Sequence, residues 1–99
     1  MTYPELTLFN IYAEVMIEHT DIDAATLRRK IKQYEINFGG NRKLKIYGTL
    51  HCKSGKRMKK ENRVFFISEK EAMTVSYRPC GHCMKSKYKQ WKNKKERLN

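Results

Sequence analysis

Three cysteines carry the chemistry that stands out in this chain. Cys80 and Cys83 form a Cys-x-x-Cys pair, the spacing that turns two thiolates toward one metal ion. Cys52 precedes them with 27 residues in between, an ordinary separation for the other half of a zinc site. Three soft ligands are thus identifiable, and a tetrahedral ion takes four. His51 stands first as the fourth, although neighbours on an extended chain point to opposite sides, so a turn is required there. His19 and His82 are further candidates, and water or no fourth ligand is the remaining outcome. A redox pair is the alternative, since a Cys-x-x-Cys oxidoreductase opens a helix after a strand. Here a helix and a Pro79-containing turn are expected before the pair, and a third cysteine is at hand, which favours metal over redox or inert thiols. An odd cysteine count argues against a disulfide framework.

The charge points to a partner. The 99 residues hold 22 Lys and Arg against 10 Asp and Glu, a net +12. Residues 1–27 carry five acids and no base, while residues 28–99 carry all 22 bases, a net +17. A field of that sign attracts a polyanion, and nucleic acid, ribosomal RNA included, is the commonest one in the cytoplasm. Nine bases cluster between positions 42 and 63, namely Arg42, Lys43, Lys45, Lys53, Lys56, Arg57, Lys59, Lys60 and Arg63, with Glu61 the one acid. Seven more follow Met84, Lys85 and Lys89 among them. These runs flank the metal ligands on both sides, where lysines and arginines bind phosphates with little choice of sequence. Arg78, beside the Cys pair, either pairs with an acid or aims at a phosphate. Tyr88 and Trp91 either close the core under the last helix or stack on bases of a single strand.

The elements that must position these residues are short. Apolar residues from Leu6 to His19 recur with helical spacing. Asp23 caps a second helix to about Tyr34, with Leu27, Ile31 and Tyr34 on one side. Ile36–Phe38 reads as a strand, Gly39-Gly40-Asn41 as the turn after it, and Leu44–Gly48 as the next strand. Residues 53–62 read as a basic loop. Arg63–Ile67 is the strongest strand signal, β-branched and aromatic together. Ser68 and Glu71 match a capping box, so a helix is expected over Glu69–Val75. A last helix is expected from near Cys80 or Gly81 to about Lys94, with Met84, Tyr88 and Trp91 on its inner face. No run of about 18 apolar residues exists, so no membrane span is expected, and no secretion leader is visible. The expected address is cytoplasmic.

At this point "KIYGTLHC", "ENRVFF" and "SEKEAMTVSYRPCGHC" carry a resemblance. Between Lys45 and Cys83 the chain resembles the zinc-binding N-terminal domain of the Ada DNA-repair proteins, whose pattern is I-Y-C-x-x-x-C, an E-N with an aromatic strand, and G-[FY]-R-P-C-x-x-C. The resemblance implies an α+β fold, a small mixed sheet flanked by helices, one zinc ion, and contacts to the DNA backbone. An N-terminal helix would be an addition to it. The resemblance places Cys52, Cys80 and Cys83 on three of the four zinc ligands. The family's first cysteine, at once ligand and acceptor of a methyl group from a DNA phosphotriester, falls on Gly48, and Ser76 replaces the usual glycine. A helical extension is expected over 1–35, the zinc-binding domain over 36–94 and a basic tail over 95–99. The expected function is a zinc module that binds nucleic acid, DNA favoured, through its phosphates and without catalysis. The rivals are a methyl acceptor using a remaining zinc-bound cysteine, and a protein-interaction module built on the acidic N-terminal segment.

Overall fold

The computed structural model describes residues 16–98, so the helix expected over Leu6–His19 lies largely outside the described residues. Near its end Ile17–Glu18 is a strand, and His19 opens a 3-10 turn. The elements run β1 (Ile17–Glu18), α1 (Ala24–Lys32), β2 (Phe38–Asn41), β3 (Ile46–Thr49), α2 (Lys53–Lys56), β4 (Arg63–Phe66), α3 (Glu69–Thr74), β5 (Arg78–Pro79) and α4 (Lys85–Leu98). Two 3-10 turns, His19–Asp21 and Lys60–Asn62, sit between them. The strands form one mixed sheet in the order β1-β4-β2-β3-β5. Among the described residues β3 and β5 pair in parallel, and the other pairs are antiparallel. The fold is α+β.

Strand alternation gives the sheet two unlike faces. Tyr47, Val64 and Phe66 project to one face and join Ala72 of α3 and Tyr77 in a buried cluster. Phe66 and Tyr77 meet edge to face with centroids 5.0 Å apart, and Phe38 meets Tyr47 at 6.0 Å. The Tyr47 hydroxyl donates to Glu69 at 3.2 Å. Burial, and then the Glu69 charge, push its pKa up to about 12. Gly39, Gly48 and Phe65 share register on the opposite face, which the metal site occupies.

The expected glycine turn is part of β2. A Cβ at Gly40 would lie 3.1 Å from the Phe66 ring, the Val64 side chain and the Ile46 carbonyl. The glycine serves close packing on a central strand, not a turn. The turn falls one step later, over residues 42–45. Asn41 builds it, its Oδ1 accepting the amides of Lys43 and Leu44 at 3.0 and 3.1 Å. Lys45 closes it at φ 57°.

Both N-caps stand where expected. Asp23 accepts the Thr26 amide at 2.7 Å, and Ser68 accepts the Glu71 amide at 3.3 Å. The Glu71 carboxylate accepts from Ile67 N, one residue before the partner of a reciprocal capping box. Both helices end in Schellman motifs. After α1, Tyr34 N donates to Ile31 and Glu35 N to Lys30; after α3, Ser76 N donates to Met73 and Tyr77 N to Ala72. The left-handed residue of each motif is ordinarily glycine, yet here it is Tyr34 (φ 61°) and Ser76 (φ 69°). That geometry turns Tyr34 away from the α1 face expected to hold it, and the ring is 80% exposed.

Candidate metal centre

The backbone brings the three cysteines together in two steps. After β3, the Cys52 amide donates to the Thr49 carbonyl at 3.2 Å, turning the chain back so that Cys52 stands as the N-cap residue of α2. The parallel pairing of β3 with β5 continues past Pro79, and Cys80 N donates to the Tyr47 carbonyl at 2.7 Å. Residues 81–83 then form a turn closed by Met84 N donating to Cys80 O at 3.0 Å. The last helix therefore begins at Lys85 rather than at the Cys pair, because that stretch of backbone wraps sulfur. His82 N donates to Cys80 Sγ and Thr49 N to Cys83 Sγ, each at 3.4 Å.

The result is a compact cluster. The Sγ atoms of Cys52, Cys80 and Cys83 all lie within 4.8 Å of one another, and those of Cys52 and Cys80 are 3.9 Å apart. Cys52 is buried and the other two half-buried. Three thiolates at this spacing repel one another strongly unless protons or a cation neutralise them. Burial pushes the Cys83 thiol up to about 11, with Cys52 and Cys80 adding to the rise and the Thr49 amide opposing it. A divalent soft-binding cation resolves the conflict, since thiolate is its preferred donor. The N–H···S contacts orient the sulfurs as outer-shell partners do around structural ions. The donor set fits a metal ion of that class.

Gly48 closes one side of the cluster. A Cβ there would stand 2.6 Å from Cys83 Sγ and 3.2 Å from Cys80 Cβ. The position matched to the family's acceptor cysteine thus abuts the sulfurs, but it offers no side chain to them. His51 is exposed and does not join the group. His82 is also exposed. His19 packs edge to face on Phe65 at 5.2 Å, its Nδ1 buried without a hydrogen-bond partner. Burial, with Arg63 and Lys60 nearby, holds its pKa below the usual histidine value.

The bases singled out from the sequence divide into two sets. Some are committed to the fold. Arg42 pairs with Glu18 at 2.9 Å and so ties the edge strand down. The Arg63 guanidinium donates to the Gly55 and Met58 carbonyls and braces the loop after Cys52. Lys45 lies over the Tyr77 ring at 5.2 Å. Arg78 lies over Tyr88 and Trp91, 5.0 and 5.6 Å from their centroids, and donates to the Pro79 carbonyl. The two rings stack at 5.9 Å. Lys43, Lys53, Arg57, Lys59, Lys60, Lys85 and Lys89 are exposed, and Lys56 belongs to α2 between two of them. The expected basic loop is in fact α2 followed by a 3-10 turn. The amides of Thr49 and His82 escape any reading of residue types, because they are backbone groups aimed by the turns.

No helix among the described residues is long and apolar enough to cross a membrane. A family model described as the metal binding domain of Ada matches residues 23–85, well over half of the chain and all three cysteines. No curated protein and no solved structure matches significantly. Family match and thiolate cluster agree on zinc binding: the chain belongs to the Ada family of metal-binding domains.

Proposed function

We propose that this chain is a zinc-stabilised module that binds nucleic acid, DNA in the first place, through backbone phosphates and without catalysis of its own. One observation supports it above the others. The cysteine cluster joins the turn before α2 to the turn before α4, and both segments carry exposed lysines. Zinc, the ion that a thiolate set favours, would act there as a cross-link holding the two basic segments in one rigid arrangement. Lys53, Arg57, Lys59, Lys60, Lys85 and Lys89 then supply the phosphate contacts, with Lys43 at the neighbouring turn. Gly48 has no nucleophile to accept a methyl group, which favours binding over methyl transfer. The preference for DNA follows from the family, and the working compartment is the cytoplasm.

Fluorescence anisotropy with labelled duplex and single strands tests the reading. Should about six phosphates be neutralised, affinity is expected to fall about a thousandfold between 50 and 200 mM salt. Stripping the metal with a chelator is expected to abolish the binding. Absence of binding to any duplex or single strand at low salt would end the proposal.

A further inference from the structure

Two of the three metal ligands share a wall with a cavity. On the face of the sheet opposite the aromatic core lies a space of about 230 Å³, and Gly48, Cys52 and Cys80 form one side of it. Leu50, Met58 and Phe65 supply much of the rest. Gly39 belongs to its lining, and a Cβ there would meet nothing closer than the Val64 carbonyl at 3.8 Å. Gly39 keeps the space clear, whereas a side chain at Gly48 would strike the sulfurs. Arg63 also lines it, but its guanidinium is already engaged by two carbonyls.

Among the described residues the cluster counts three ligating groups, all thiols. A tetrahedral zinc site needs a fourth donor, and Gly48, where a Cβ would abut the sulfurs, has none to give. We infer that the metal centre is open, and that it takes its fourth ligand from outside the chain: a small thiolate whose apolar body fills this cavity. This rests on the metal reading above. A soft ion already held by sulfur favours another sulfur over a hard phosphate or carboxylate oxygen. The largely apolar walls favour a hydrocarbon body and disfavour a hydrated anion. On binding, the thiol would lose its S–H proton to solvent, and any water held at the fourth position would be released. Nothing is oxidised or reduced, and no other bond in the thiol breaks.

The test uses the full chain loaded with cobalt(II), whose visible and sulfur-to-metal absorption reports the number of thiolates. Titration with phenylmethanethiol is expected to raise the sulfur-to-cobalt band by roughly one third, four thiolates for three, in a saturable curve. Phenylmethanol, lacking the S–H, is expected to change nothing. Gly39→Leu fills the floor of the cavity and is expected to weaken the thiol at least tenfold at unchanged cobalt stoichiometry. An unresponsive wild-type spectrum overturns the inference, as does an equal response from Gly39→Leu. So does a thiol-free spectrum that changes in His51→Ala, which would make the fourth ligand the chain's own. In each of these three cases the three-thiolate metal site still stands. Failure to bind cobalt at all overturns the metal reading and this inference with it.

Discussion

The two faces of the one sheet are built to opposite ends. On one face large side chains interlock: Tyr47, Val64 and Phe66 are at most 1% exposed and pack against Ala72 and Tyr77. On the other, Gly39 leaves space, and a loop carrying Leu50, Cys52 and Met58 borders it. The same four-residue strands serve both, because consecutive residues point opposite ways. The core face obtains its stability from dense apolar contact. The metal face cannot, since its centre is a cavity and a group of sulfurs. The contrast explains how so small a domain combines a firm scaffold with a cluster of sulfurs beside a cavity: an ion can hold the face that packing leaves loose.

Removing a thiolate should break that contrast most severely. Cys52→Ser or Cys80→Ser is expected to lose the metal and to unfold the domain or leave it molten. Structural zinc sites contribute apparent binding energies of about 10–16 kcal/mol to folding. Metal analysis together with far-ultraviolet circular dichroism reads the loss, and retention of both metal and fold would detach the cluster from stability. Next in size comes a pair of aromatic truncations. Phe66→Ala, on the packed face, is expected to cost about 3–5 kcal/mol. Phe65→Ala, beside the cavity, should cost measurably less, because one side of its ring already borders empty space. Urea denaturation of the metal-loaded proteins separates the two, and equal losses would mean that the faces are packed alike.

Adjacent glycines allow a finer comparison. Gly40→Ala pushes a methyl group to within 3.1 Å of three neighbours and is expected to destabilise by about 1–3 kcal/mol. Gly39→Ala meets nothing closer than 3.8 Å and is expected to be neutral or stabilising by up to about 1 kcal/mol, since it reduces the freedom of the unfolded chain. Reversed signs in thermal melts would refute the assignment of faces. The smallest effect concerns neither face. Ser76→Gly and Tyr34→Gly each relieve a left-handed residue at a helix end and should stabilise by about 1 kcal/mol. A drop in melting temperature on either change would show that the side chain makes compensating contacts.

Several features were legible from residue types alone. Asp23 and Ser68 cap their helices because their short oxygens reach a backbone amide within the same turn. Arg63–Ile67 reads as a strand through its aromatic and β-branched run, and Arg63–Phe66 forms one. The Ada-like spacing of Cys52, Cys80 and Cys83 points to one site without reference to geometry. Other features were hidden for identifiable reasons. Gly39-Gly40-Asn41 has the composition of a turn, yet its glycines answer to neighbours on strands distant in sequence. Ile17–Glu18 continues a helical pattern, yet pairing with β4 and the ion pair from Glu18 to Arg42 make it an edge strand. The late start of α4 reflects amides turned toward sulfur, which leaves no mark on side-chain periodicity.

Local chemistry and order along the chain therefore determined the caps, the main strand, the ligand types, the lack of a side chain at position 48 and the excess of positive charge. Each depends on what a residue is and on its near neighbours. The tertiary structure alone decided which bases are spent on internal contacts, which glycine makes room and which avoids a clash, and that a cavity opens beside the thiolates. Those depend on segments dozens of residues apart meeting across a sheet, and a one-dimensional pattern holds no record of such distances.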